Sequence, residues 1–488
     1  MLITGNLSAA SVPEQITALQ SQVSALQTTV ANQAVLIADL STKDVAQAAQ
    51  ITTLQGQASD LATKLQYVSV SGTEMSISGA NLHILSGSGA TDGATNGLGN
   101  LIIGYNESRN DGTDDRTGSH NIVVGSQQNY SSYGGLVVGM HNTISGIFAS
   151  ISGGDHNTAS GDISSVSGGH ASTASALGTW VGGGSVNTAS GNYASVSGGY
   201  QNTASGDTSS VSGGAVNTAG GRLSSVSGGQ VNTASGDTSS VSGGTQNTAG
   251  GQLSSVSGGT QNTASGIVAS VSGGVLNTAS GVQASVSGGS VNTAGEHCSS
   301  VSGGTKNIAS GDTSSVSGGL ENTASGNYSS ASGGRNNTAR EDSSSVSGGH
   351  DNLASGWNSS ISGGQFNIAS GWSSSISGGH QNTASGLVSS ISGGQVNTAN
   401  GGVSSISGGV LNIASGYLSS VLGGHQNTAS GGESSVSGGL ENTASGNWSS
   451  ASGGRNNTAS GDFSSVSGGG YLTLSLDKSW AGGAYHTP

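Results

Sequence analysis

Few residues in this chain are of types that do chemistry, and their spacing decides what they could do. Asp207, Asp237 and Asp312 occupy one turn position of a repeating unit. A hydrolase or lyase needs acids and bases that converge on one groove, whereas these acids recur because the unit recurs. His141, His156, His170, His350, His380 and His425 fall at the other turn of the unit and read as solvated turn residues. His297 and Cys298 are adjacent, but a metal site or a nucleophile needs further ligands or a base, and none lies nearby in sequence. Cys298 reads as an incidental turn residue. Asp111, Asp114 and Asp115 could hold a hard cation, but they lack the spacing and the distal Glu of an EF-hand loop and read as a solvated loop. The Gly-Gly-x-Gly-x-Asp pattern of calcium-binding rolls is absent. No catalytic, cofactor-binding or metal-binding residue is expected, and no enzyme.

The elements that carry these residues follow from two periodicities. The first has a step of 15 residues, and its apolar anchors are read at 136, 151, 166, 181 and onward to 466, which makes 23 anchors. One unit is Ser195–Ser209. Its first run places Val196 inward and Ser195 and Ser197 outward; its second places Ala204 inward and Thr203 and Ser205 outward, because side chains alternate across a strand. The pairs Tyr200-Gln201, Val275-Leu276 and Arg335-Asn336 vary freely and mark turns. A fixed short period of this kind predicts an all-β solenoid, a β-roll in which each coil contacts only its neighbours.

The second periodicity is a heptad over residues 12–68. Its a positions are Ile16, Val23, Val30, Ile37, Asp44, Ile51, Ala58 and Leu65, and its d positions are Leu19, Leu26, Gln33, Leu40, Gln47, Leu54, Leu61 and Val68. Twelve of these sixteen are large aliphatics, so the pattern predicts an α-helical, left-handed coiled coil with these residues as its oligomerisation seam. Asp44, Gln33 and Gln47 would set register and strand number. Ile or Val at a with Leu at d leans toward parallel dimers. One inward Val per coil is a thin core, and that argues for association burying a further face.

The chain divides on this reading into 1–68, an N-terminal segment and coiled coil; 69–135, an adaptor with cap strands; 136–468, the solenoid; and 469–488, a C-terminal cap built on Tyr471–Leu476 and Trp480. Net charge is -14 with only 10 Lys and Arg, which supplies no basic stripe for nucleic acid. No run of 18 apolar residues is present, so no membrane-spanning helix is expected. Residues Met1–Ala10 lack the charged and apolar regions of a Sec-type signal as written.

The unit Ser195-Val196-Ser197-Gly198-Gly199, followed by Asn202-Thr203-Ala204-Ser205-Gly206, resembles the head repeat of trimeric autotransporter adhesins, the YadA-like left-handed parallel β-roll. Gly198 stands where that family has Ile, and Asn202 where it has Ala. The resemblance covers about residues 136–468, and the heptads are similar to the family's stalks. It implies a homotrimer, an extracellular or cell-surface location and an adhesive role toward a cell surface, matrix or glycan ligand. The unit here is 15 residues rather than the commoner 14, the stalk precedes the roll, and the chain ends at Tyr485-His486-Thr487-Pro488 without an anchor barrel. The function expected is that of a non-enzymatic extracellular fibrous protein, adhesive or structural. The alternatives are a receptor-binding tail fibre of a phage-like or contractile-injection particle, for which the rod-then-roll order speaks, and an ice-binding solenoid, for which the outward Ser and Thr rows speak.

Overall fold

The computed structural model describes residues 10–483; the leader reading of residues 1–9 and the last five residues lie outside them. The chain forms two compact units, residues 1–83 and residues 84–488.

The first unit is one long helix, α1 (Val12–Lys64), followed by an antiparallel hairpin of β1 (Val68–Ser71) and β2 (Glu74–Ile77). The Ser11 N–H donates to Glu14 Oε2 at 2.9 Å, and Pro13 sits in the first turn, where a missing N–H costs nothing. At about 1.5 Å per residue the helix is about 80 Å long. Its seven bonded threonines, Thr17 to Thr63, return their hydroxyls to the carbonyl four residues back, which satisfies them without a partner. The heptad pattern extends to Val68, but the helix stops sooner: Leu65 is its C-cap and Val68 opens β1. Those two positions therefore leave the helical seam. Val68 fits both patterns because it also heads the alternation Val-Ser-Val-Ser, and a single residue cannot tell period 3.5 from period 2.

The second unit is a parallel β-solenoid of roughly 15-residue coils. Each coil gives two short strands, as in Ser195–Val196 and Thr203–Ala204. Every Ser-Val strand pairs in parallel with its equivalents one coil before and one coil after, as do the Thr-Ala strands. Two open ladders result. The first begins at Leu101–Ile103 and ends at Trp480–Ala481; the second begins at Asn129–Tyr130 and ends at Thr473–Leu474. Tyr471–Leu476 is thus part of a further coil in register, with only Thr473–Leu474 extended, rather than a separate capping strand.

The period has one irregularity that the sequence hid. The first buried anchor is Val137, not Leu136, and it pairs with Val123 and with Ile151, 14 residues away on either side. Later coils keep 15, as in Ile151 to Val166. Between Ile151 and the left-handed Gly154 there is one more residue than between Val137 and the left-handed Gly139. Leu136, Val137 and Val138 are all apolar, so spacing alone could not choose the inward one; strand pairing does.

Inside a coil, Val196, Asn202, Ala204, Gly206 and Ser209 are buried. The asparagine is the main fastener. Asn202 Nδ2 donates to Gly198 O at 2.9 Å in its own coil and to Gly214 O at 2.9 Å in the next, while its Oδ1 accepts the Asn217 N–H at 2.9 Å. The ladder runs from Asn142 to Asn457 at every fifteenth residue, with Ser172 as its one substitute. All three amide hydrogen-bonding directions are used, which is what a fully buried amide requires. Gly199 is the position that only glycine fills: φ is +94°, and an added Cβ would overlap the Gly214 carbonyl oxygen.

Candidate functional site

The feature most in need of a partner is the stripe on α1. No residue of the helix is buried. The large seam aliphatics within it, from Ile16 to Leu61, are 48–67% exposed. Gln33, Asp44 and Gln47 interrupt the stripe in its middle. Helical stability in water comes mainly from packing an apolar face, and nothing in the helix itself covers this one. Two i,i+4 ion pairs, Lys43–Asp39 at 2.8 Å and Lys64–Asp60 at 3.5 Å, are exposed and contribute at most a few tenths of a kcal/mol each.

The solenoid presents four outward columns: Ser195 and Ser197 with their equivalents on one ladder, Thr203 and Ser205 on the other. Ile308, Leu353, Ile368 and Ile413 interrupt the Thr column. At the turns, equivalent residues of successive coils stack. Trp357 and Trp372 lie with ring centroids 4.8 Å apart, and Trp448 and Phe463 with centroids 4.7 Å apart.

No family model matches this chain, and no curated protein matches it.

The acids at one turn have a structural role. Asp207 Oδ1 accepts the Asn192 N–H at 3.0 Å, and Asp237 Oδ1 accepts the Arg222 N–H at 3.0 Å, each one coil back. Asp312 instead accepts from His297 Nδ1 at 3.1 Å, and that bond first, then one from Thr313, holds its carboxyl below the ordinary value. Cys298 Sγ lies 3.2 Å from Gln283 Oε1 and 3.6 Å from His297 Nε2.

The polar loop with Asp111, Asp114 and Asp115 is tied down by its own side chains. Arg109 reaches Gln127 O at 2.9 Å and Asn142 O at 2.6 Å. Asp114 accepts from the Ser108 hydroxyl, the Arg109 N–H and Arg116, and the first two of these lower its pKa most.

The structure brings together three of the six turn histidines. His141 stacks on His156 with centroids 4.3 Å apart and planes 15° apart, and His156 meets His170 edge-on at 5.6 Å. Asp155 lies between the last two: His170 Nδ1 is 3.0 Å from Oδ1 and His156 Nδ1 is 3.2 Å from Oδ2. Hydrogen bonding from His170, then His156, holds the Asp155 carboxyl below its ordinary value. The sequence carried the signal for this cluster, since residues 155 and 170 differ by one period and so occupy adjacent rungs. His350, His380 and His425 are not joined to it; His350 pairs with Asp351 at 3.0 Å, and Phe366 lies edge-on to both His350 and His380.

Among the described residues, no helix is long and apolar enough to cross a membrane.

Proposed function

We propose that this protein is a non-enzymatic, self-associating fibrous protein, adhesive or structural, that works outside the cell. Its helices would form a parallel homotrimeric coiled coil, and its solenoid would present long rows of Ser, Thr and turn residues. The observation that carries this reading is the continuous, uncovered a/d stripe of α1. Burying each Leu, Ile or Val of that stripe is worth about 1.5–3 kcal/mol relative to full exposure, a gain open to a helix only in company. Two features support the trimeric-adhesin likeness over a dimer: the coil core is one Val wide, and the first coils, Val123 to Val137 to Ile151, have that family's commoner 14-residue step. The uniform coils favour a distributed surface over a single pocket.

The test uses the full chain and a version lacking residues 240–269, which removes two coils in register. Retention of cells, matrix proteins or immobilised glycans is measured for both. An adhesive fibre retains one of these surfaces, and the shortened chain does so in proportion to its remaining coils. A full chain that stays monomeric and retains no surface contradicts the proposal. The order of the units, helix first and solenoid second, also fits a particle-borne tail fibre. In that case the α1 end would dock to a purified particle base and the solenoid would carry the receptor contact.

A further inference from the structure

We propose that Asp155, His156 and His170 form a binding site for one borderline divalent cation, with Zn2+ the best match, that clamps two successive coils of the solenoid together. Asp155 and His156 are neighbours in one coil. His170 is the rung partner of Asp155 in the next, so the parallel ladder aims both side chains to the same side. One ligand atom from each residue can be chosen such that all three lie within 4.8 Å of one another. Tetrahedral Zn2+ with bonds of about 2.0 Å holds its ligands about 3.3 Å apart. Two of the three edges already have nearly that length, the 3.0 and 3.2 Å hydrogen-bond separations of Asp155 from His170 and His156. Closing the third needs about an ångström or so of side-chain rotation. The side chains are free to make it, being 36%, 47% and 55% exposed for Asp155, His156 and His170.

The donor set selects the ion. Two imidazoles and one carboxylate suit Zn2+ and its late first-row neighbours, whereas Ca2+ and Mg2+ take all-oxygen shells. Three protein ligands leave one position open to solvent, as in open zinc sites. His141 acts as a positioning residue: its ring lies flat on His156, and its Nε2 is 3.8 Å from Asp111 Oδ2. The His297–Cys298–Asp312 group is a poorer candidate despite its thiol. Asp312 engages Nδ1 of His297 and Cys298 engages Nε2, so the two partners lie on opposite sides of one ring.

The experiment is titration of Zn2+ into the untagged full chain, read by competition with a chromophoric chelator and by thermal melting. One ion per chain is expected, together with a rise in the melting temperature, because the ion binds only the stacked coils. Asp155→Asn and His170→Ala should each weaken binding at least about tenfold and abolish the rise. Cys298→Ser and His380→Ala should leave both unchanged. Circular dichroism of the metal-free variants should match the parent, so that any loss is a loss of ligands. No binding to the parent, binding that survives both cluster variants, or a loss produced by Cys298→Ser would each overturn the site.

Discussion

Residues 12–64 and residues 101–481 treat their apolar side chains in opposite ways. In the helix, Leu26 and Leu40 are more than half exposed, and nothing is buried. In the solenoid, Val241 and Ala249 are at most 1% exposed. The difference lies in where each element finds its complement. A coil finds it in the next coil of the same chain, because the period repeats its strand, its asparagine and its glycine in register. A helix with an a/d stripe has no next copy in its own sequence, so its complement belongs to another chain. The solenoid is therefore completed by repetition, and the helix by association.

Breaking the seam should have the largest effect. Leu26→Asp combined with Leu40→Asp places two charges in the seam, and is expected to reduce the assembly to monomers and remove most of the helical signal at 222 nm. The solenoid's own thermal transition should stay, since no coil uses those residues. Loss of both transitions together would mean that the units are not independent.

Within the solenoid, Val241→Asp should cost at least about 4 kcal/mol by placing an unpaired charge in a core one residue wide. Ser240→Asp, one residue away and outward, should change stability by less than about 0.5 kcal/mol. Denaturant unfolding of the two variants checks the alternation directly, and equal effects would refute it.

Asn247→Ala comes next. It strips donors from Gly243 O and Gly259 O and the acceptor from the Asn262 N–H, so about 3 kcal/mol is expected. Asn247→Ser should cost less, because Ser172 already holds that rung, with its Oγ 3.3 Å from the Asn187 nitrogen. Hydrogen exchange at the Asn262 amide is the sensitive probe.

Ser239→Ala should have the smallest effect. Its hydroxyl is buried without a hydrogen-bond partner, and Ala194, Ala269 and Ala284 fill the equivalent place in other coils. A change within about 0.5 kcal/mol, of either sign, is expected in the same unfolding measurement.

The two periods made both elements readable before any coordinates, and alternation alone placed Val196 and Ala204 inward. What escaped was set by geometry that no period encodes. Ser209 is inward because it sits at a corner where the chain turns through the left-handed Thr208, φ 57°, not because of strand alternation. The 14-residue first coils were masked by three consecutive apolar residues. Val68 was absorbed into the heptad because it satisfies two patterns at once. The Asp155–His156–His170 cluster needed both the period and the knowledge that turn side chains of adjacent coils point the same way. Taken one at a time, the histidines looked like isolated turn residues.

The most direct test of the central claim is the mass of the full chain in solution, by light scattering or sedimentation equilibrium, beside that of a chain lacking residues 12–64. The account predicts three chain masses for the first, falling to a lower state in the second. A full chain that sediments as a monomer, with its helix intact, would contradict it.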